Sequence, residues 1–451
     1  MKLFSTICVA ALVLALAVPA FAETQNVKIS GDIAVAHIYQ KNLDLDKDDN
    51  DGATAGTSDS DNLITQIVGV NIAADLTDNV STYVRVVNQR DWNDVNAEAD
   101  IILDEAYVTM KEMLYAPLTV KIGRQNMWFG KGMIIGNNFR TWDEGGTIRN
   151  DELSATTAFD AIRATLDYDP WTVDLAYAVI DENTVNTNDD ISLVGVNVGY
   201  IFDKYDAEAE AYVWHQSDQS AKPTADTDDL TTLGIRGSFV PYENMDVWAE
   251  GAHQTGTYHD TATGTFRTDK DRDAWMVDVG INYEFADVKW TPDLGLEYIY
   301  MSGDDTNQTG TGDYEGWNSM YQGKFDSLIR AYMDQVAVAY AQTDAYAAAR
   351  QGQTGGTTNQ NQLKIHTNLD LMEDLTLDAD LSLFWFDEGP FISGGDDEIG
   401  QELDGYLTYD YTEDVQFKVA AGVFWPDDAY EGNNSADDIA TKVISAVTVG
   451  F

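Results

Sequence analysis

The side chains best suited to acid–base or metal chemistry in this sequence are its five histidines, namely His37, His215, His253, His259 and His366. None has the His-x-x-x-His spacing that places two imidazoles on one face of a helix for metal binding. A hydrolase would need a histidine near Ser or Asp at the rim of a site, and His253 and His259 are the candidates. We therefore predict that the protein is not an enzyme and needs no cofactor. A hydrolase that uses His253 or His259 is the alternative.

Asp44, Asp46 and Asp48 invite a calcium interpretation, because hard cations prefer clustered carboxylate oxygens. If a calcium loop began at Asp46, the glycine that it requires would fall at Asp51, one residue before Gly52. We therefore interpret this stretch as a solvated acidic run, with a generic cation site as the alternative. No metal site is predicted.

Most other charged residues fall on the polar rows of segments in which apolar and polar residues alternate. Such rows are typical of a water-filled barrel lumen. The bases predicted to line it are Lys28, Arg85, Lys121, Arg124, Arg140, Arg163, Arg236 and Lys364. The predicted acidic lining residues are Asp32, Glu105, Asp174, Glu210, Glu250, Asp278, Asp378 and Asp380.

Two predictions about this lining can be decided only by the three-dimensional structure. Arg124 shares parity with Val120 and Ile122, so strict alternation points it at lipid unless a bulge re-aims it. The arginines cluster on early segments and the carboxylates on later ones, which predicts a transverse electric field across the lumen. Carboxylates outnumber bases, which favours cations or neutral solutes.

The elements that would position these residues are about eighteen alternating segments of roughly 11 to 15 residues between Val27 and Phe451. In the segment at 375–388, for example, Leu377 and Leu381 alternate with Asp378 and Asp380. Short and long connections also alternate along the chain. The pattern predicts an all-β fold: a transmembrane antiparallel β-barrel with short periplasmic turns and long outer loops.

Composition supports a membrane barrel. The 26 Lys and Arg residues face 77 Asp and Glu residues, so the net charge of −51 argues against nucleic acid as a partner. A hydrophobic content of 44% is too high for a disordered chain. After the first residues, no apolar run approaches the ~20 residues of a transmembrane helix.

The two ends of the chain carry sorting signals. Residues 1–22 have a charged start, an apolar core and a small-x-small end, which predicts a cleaved signal peptide and a barrel over 23–451. Removal of this peptide would take Cys8, the one cysteine, with it. The last strand ends on Phe451, which resembles the closing strand that the barrel assembly machinery reads.

One stretch breaks the strand pattern. Within the long loop at 305–360, apolar residues recur at helical spacing over 324–350, which predicts an amphipathic helix. Such a helix could constrict or plug the lumen, through the residues Phe325, Arg330, Tyr332 and Tyr340. Packing against other outer loops is the alternative.

The stretch at 122–163 resembles the alginate-export family of outer-membrane porins. The matching residues are Gly123-Arg124-Gln125, Gly132, Arg140, Trp142 and Phe159-Asp160-Ala161-Ile162-Arg163, with Ala161 in place of the family's glycine. The resemblance implies an eighteen-stranded barrel for passive diffusion through a pore lined by cations. The excess of carboxylates departs from that lining.

Together these features predict a channel for polar solutes (ions, sugars or polysaccharide) in the outer membrane of a Gram-negative-type bacterium. Its expected partners are outer-membrane lipid and lipopolysaccharide, the solute, and the assembly machinery; no periplasmic partner is indicated. The alternative is a non-conducting barrel, plugged by its helical loop, that serves as an adhesin, receptor or sheath for another protein.

Overall fold

A computed structural model gives the three-dimensional structure of the chain. It describes residues 26–43, 45, 60–92, 101–136, 158–182, 190–219, 227–259, 269–304, 312–323, 327–330, 358–388, 397–430 and 438–451. Among them, no helix is long and apolar enough to cross a membrane.

Eighteen strands account for most of the described residues. In chain order they are β1 Asn26–Lys41, β2 Ser60–Thr77, β3 Val80–Asp91, β4 Ile102–Met110, β5 Leu118–Gln125, β6 Phe159–Asp167, β7 Trp171–Asp181, β8 Ile191–Phe202, β9 Ala207–Asp218, β10 Asp228–Tyr242, β11 Met245–His259, β12 Asp269–Glu284, β13 Asp293–Met301, β14 Gln360–Met372, β15 Leu375–Trp385, β16 Glu398–Thr412, β17 Val415–Pro426 and β18 Ala440–Gly450. Two short 3-10 helices, Asp203–Tyr205 and Asp428–Tyr430, follow β8 and β17.

Every strand pairs antiparallel with its neighbours in sequence, and β18 returns to pair with β1. The pairing runs from Asp32 opposite Gly450 to Lys41 opposite Thr441. Phe451 extends it, because Gly31 and Phe451 exchange both backbone hydrogen bonds, at 2.9 and 3.0 Å. The sheet is therefore a closed barrel of eighteen strands, as the sequence predicts.

The connections alternate in length around this barrel. On one side they range from two residues, as at 78–79, to eight, at 285–292. On the other side the shortest has nine residues, as at 182–190, and the longest is 302–359. This confirms the predicted arrangement of short turns on one side, the periplasmic one, and long loops on the other.

The two faces of the sheet differ as alternation requires. On β12, Trp275 and Val279 are exposed on the outer face, whereas Met276 and Asp278 are fully buried inside. Aromatic residues at the periplasmic end of the outer face pack edge to face, as Tyr200 does with Trp171 at 4.6 Å between ring centroids. The outer face is therefore an apolar belt with aromatic borders, which suits lipid.

Several sequence predictions lie outside the described residues. They are the signal peptide at 1–22, the calcium alternative at Asp44, Asp46 and Asp48, the base Arg140, and the loop residues Phe325, Tyr332 and Tyr340. Of the predicted helix at 324–350, the structure describes only 327–330, which forms a bend that ends in one 3-10 residue, Arg330. The helix and the signal peptide stay predictions.

The closing pair yields a stability test. A Cβ on Gly31 would lie 2.6 Å from the Gly69 carbonyl oxygen and 2.6 Å from Cζ of Phe451. We expect Gly31→Val to destabilise the barrel by about 1–3 kcal/mol, because the added atoms overpack the seam. Heat-induced unfolding of the detergent-solubilised barrel measures this.

Gly450→Ala is the matched control for this test, since a Cβ there meets nothing within 4 Å. It should leave the unfolding temperature unchanged. Equal unfolding temperatures for the two variants would contradict the proposed tight seam.

Candidate functional site: a barrel lumen divided by two inward segments

The first inward segment follows β5 directly. Residues 126–136, here called the inner loop, leave Gln125 and bury Met127, Ile134 and Ile135 almost completely. Gly132 has a φ of +78°, and the ring of Trp128 occupies the place of its missing Cβ. This compact turn carries the chain inward instead of outward.

The second inward segment belongs to the long connection between β13 and β14. Its described parts, residues 314–323 and 327–330, are here called the strap. Tyr321 donates its amide hydrogen to the Ile134 carbonyl at 3.0 Å and accepts from Gly136 at 2.8 Å. Gly323 donates to Gly132 at 2.8 Å. The strap and the inner loop are thus joined by backbone hydrogen bonds.

Both segments pack on one sector of the lumen wall. Trp317 and Tyr321 of the strap are 1% and 3% exposed. They belong to one apolar cluster with wall residues of β6 to β13, which include Phe159, Ala178, Leu193, Trp214, Met276 and Ile299. This explains the apolar residues on luminal rows of the sheet: they face protein, not water.

The far end of the strap lies on a different part of the wall. The ring of Tyr321 is 5.5 Å from that of Phe159 on β6. Seven residues later, the Leu328 amide hydrogen-bonds to Asp404 on β16 at 3.0 Å. Strands β6 and β16 are eight positions apart by the shorter way round a ring of eighteen, close to diametrically opposite, so the strap reaches across the lumen.

The strap leaves the lumen asymmetric. Wall side chains on β7 to β13, such as Leu193 and Trp214, are buried beneath the inward segments. On β3 to β5, Tyr83, Tyr107 and Lys121 remain partly exposed on the luminal face. The structure therefore points to an off-centre path along the sector from β1 to β6.

Lys131 connects the inner loop to side chains on β11, β12 and β13, on the other side of the lumen from the path. Its Nζ lies 2.9 Å from Glu297 and 3.7 Å from Asp278, and 3.6 Å from the centroid of the Trp248 ring. Glu297 also binds Lys364 on β14, at 3.0 Å. These contacts compensate for the hydration that Glu297 and Asp278 lose, since both carboxylates are almost fully buried.

The bases along the path are paired with carboxylates one or two strands away. Arg85 binds Asp32 at 2.7 Å and Asp104 at 3.1 Å. Arg163 binds Asp174 at 2.7 Å. A β-bulge between β3 and β4 allows both Asp104 and Glu105 to be buried there.

Lys121 differs from these arginines. Its Nζ stands 3.9 Å from the centroid of the Tyr107 ring, which in turn stacks on Tyr83 at 5.3 Å. Opposite it on β6 is Arg163. The stack fills the wall and holds the ammonium group of Lys121 at its end.

The remaining predicted lining residues also lie on luminal rows. Arg236 binds Glu208 at 2.8 Å and Glu210 at 3.0 Å, and Glu250 accepts a hydrogen bond from the Tyr212 hydroxyl at 2.6 Å. The others on these rows are Lys28, near the periplasmic end of β1, with Asp378 and Asp380 on β15. Bases and acids are neighbours, so the predicted separation into a basic and an acidic wall is wrong.

Arg124 requires a second correction. It pairs across β6 with Asp160, at 3.4 Å, and Asp160 shares its outward row with the exposed Ile162. No bulge re-aims this part of β5, because the pairing with β4 and β6 has no register shift there. Arg124 therefore faces outward, as alternation alone predicts, and is not a lining residue.

The structure gives His253 an aspartate partner but places the pair on the outer face of the barrel, which does not favour the hydrolase alternative. His253 faces outward with Trp275, whose ring lies 4.3 Å away, and its Nε2 is 2.8 Å from Asp273. No serine contact to His253 is seen within the described part of the chain. The other candidate, His259, ends β11, and its side chain lies outside the described part of the structure.

Sequence reasoning missed the residues of the inner loop and strap that shape the lumen, namely Lys131, Trp317 and Tyr321. The glycines and aromatic residues at 128–136 were the available signal, because a loop rich in both can turn back and pack. Their wall partners, however, lie on strands far away in sequence.

A comparison with known protein families agrees with the eighteen-stranded barrel. The family described as alginate export matches residues 39–441, nearly the whole barrel. The chain belongs to the alginate export family. It is an outer-membrane transport protein and not an enzyme.

Solved structures share the fold at low identity. OccAB1 of Acinetobacter baumannii is 12% identical, with 96% of this chain and 99% of that chain covered and a TM-score of 0.56. OccK2 (OpdF) of Pseudomonas aeruginosa, solved in complex with glucuronate, is 13% identical, with 95% and 98% covered and a TM-score of 0.53. No curated protein matches the chain.

Lys131 provides a test of the inner loop. We expect Lys131→Met to lower the stability of the folded barrel by about 2 kcal/mol, because charge-assisted hydrogen bonds to buried carboxylates are lost. Thermal unfolding in detergent measures the change. Lys289→Met is the control, since Lys289 lies over the ring of Trp290 in an exposed connection. A loss of equal size in both variants would contradict the role of Lys131.

Proposed function

We propose that the chain is a passive channel for small polar solutes that are neutral or positively charged, and that they cross along the off-centre path. The observation that carries the proposal is the neutralisation of the arginines beside that path. Arg85 has two carboxylate partners and Arg163 has one. A wall of local ion pairs presents dipoles to a solute and has no continuous positive surface.

The solutes proposed here differ from a polyuronate such as alginate. Alginate is a polyanion, and its passage would be favoured by bases free of carboxylates. The chain carries 77 acidic and 26 basic residues, so its long-range field also repels anions. The strap crosses the lumen and so narrows it. A narrower lumen favours the passage of small solutes over that of a polymer.

Reversal potentials in planar bilayers under a KCl gradient test this proposal. We expect a potential of the sign that K⁺ permeation produces. Strong Cl⁻ selectivity would contradict the proposed lining. A folded protein that inserts but carries no current would replace the channel with the alternative of a plugged scaffold.

Lys121 allows the path itself to be tested. Lys121→Gln should increase the preference for K⁺, because it removes a partly exposed ammonium group from the β5 wall. The matched control is Lys111→Gln, which removes a base from an exposed periplasmic turn. If both variants keep the parent's reversal potential, solutes do not pass this wall.

A further inference from the structure

The two ends of the strap are held by different interactions. At the end near β6 to β13, Trp317 and Tyr321 are buried in a large apolar cluster, and the backbone pairs with the inner loop. Detaching this end would expose that apolar surface and break the backbone hydrogen bonds. This end is therefore a fixed part of the barrel interior.

The other end is held by two carboxylates on β16. Ile329 and Arg330 donate their amide hydrogens to the two oxygens of Glu402, at 2.7 and 2.8 Å. The Leu328 amide donates to Asp404 at 3.0 Å. Three consecutive peptide groups thus point at one pair of acidic side chains.

These carboxylates are suited to hold a peptide segment in place. Glu402 and Asp404 are 0% and 2% exposed, and each buried carboxylate needs hydrogen-bond donors to compensate its lost hydration. The strap supplies those donors. If the strap left, lumen water could hydrate both groups instead.

The apolar contacts at this end are few. Ile329 packs into a small cluster with Phe384 and Phe424, and Leu328 approaches Gly422, where a Cβ would lie 3.2 Å from its Cδ2. Only two apolar side chains of the strap are buried here within its described residues. The carboxylate–amide bonds therefore supply much of the attachment.

We infer that Glu402 and Asp404 are positioning residues of the channel: they hold the strap against β16 and so set the width of the path. This role rests on the proposed function, because a width matters only if solutes pass. The two residues act through the strap and need not touch the solute.

The double variant Glu402→Gln with Asp404→Asn tests the inference. Each amide side chain keeps its size but replaces one acceptor oxygen with a donor, so at least one strap amide loses its partner. We expect larger and noisier single-channel currents than in the parent. Glu413→Gln, in an exposed periplasmic turn, is the control for a lost charge and should leave the currents unchanged.

A second readout follows the strap directly and does not depend on conductance. Ser327 is 6% exposed and adjoins the anchored peptides, and the sequence has no cysteine after Cys8. With Ser327→Cys as reporter, a water-soluble thiol reagent should label the double variant about tenfold faster than the parent, because local opening exposes the thiol. Folded barrels are selected by their gel mobility before heating.

The two readouts separate the two proposals. Equal labelling rates in parent and double variant overturn the positioning role, whatever the currents show. Faster labelling in a protein that never conducts keeps the positioning role and overturns the channel. Faster labelling together with larger currents supports both.

Discussion

The structure depends on the need to satisfy every backbone hydrogen-bonding group inside a membrane. Lipid supplies no donors or acceptors, so a sheet that crosses it must have no free edge. In this chain the last strand meets the first over ten residue pairs, from Asp32–Gly450 to Lys41–Thr441. Phe451 continues the ladder to Gly31, where only a glycine leaves room for its ring. An even number of strands and the alternation of short and long connections follow from closing an all-antiparallel sheet in this way.

Closure of eighteen strands creates a lumen wider than side chains alone can fill. The chain fills part of it with its own backbone, through the inner loop and the strap. Buried backbone groups need partners even there, and the ladder between Tyr321, Ile134 and Gly136 supplies them. At the opposite wall, Glu402 and Asp404 take the same role with carboxylate oxygens. The lumen is therefore a packed protein interior on one side and a polar passage on the other.

Charge in the passage follows from cross-strand pairing. A base on a luminal row meets the residues directly opposite or diagonal to it on the next strand, and in this chain those are often acidic. Arg236 with Glu210, directly opposite, and Arg163 with Asp174, one diagonal away, are examples. The same strand plan that serves an export family can thus carry a lining with little free positive charge. Family membership identifies a transport protein, and in our proposal the local ion pairs decide which solutes pass.

The sequence by itself determined the barrel, because period-two alternation and loop parity are local consequences of a closed sheet in lipid. It also determined which rows face the lumen, and alternation alone predicts the outward position of Arg124. Only the tertiary structure decided how the lumen is divided. The contacts of Tyr321 with Phe159, and of Leu328 with Asp404, join residues 162 and 76 positions apart. No local periodicity encodes such contacts, since they exist only after the wall has closed around the segments that pack inside it.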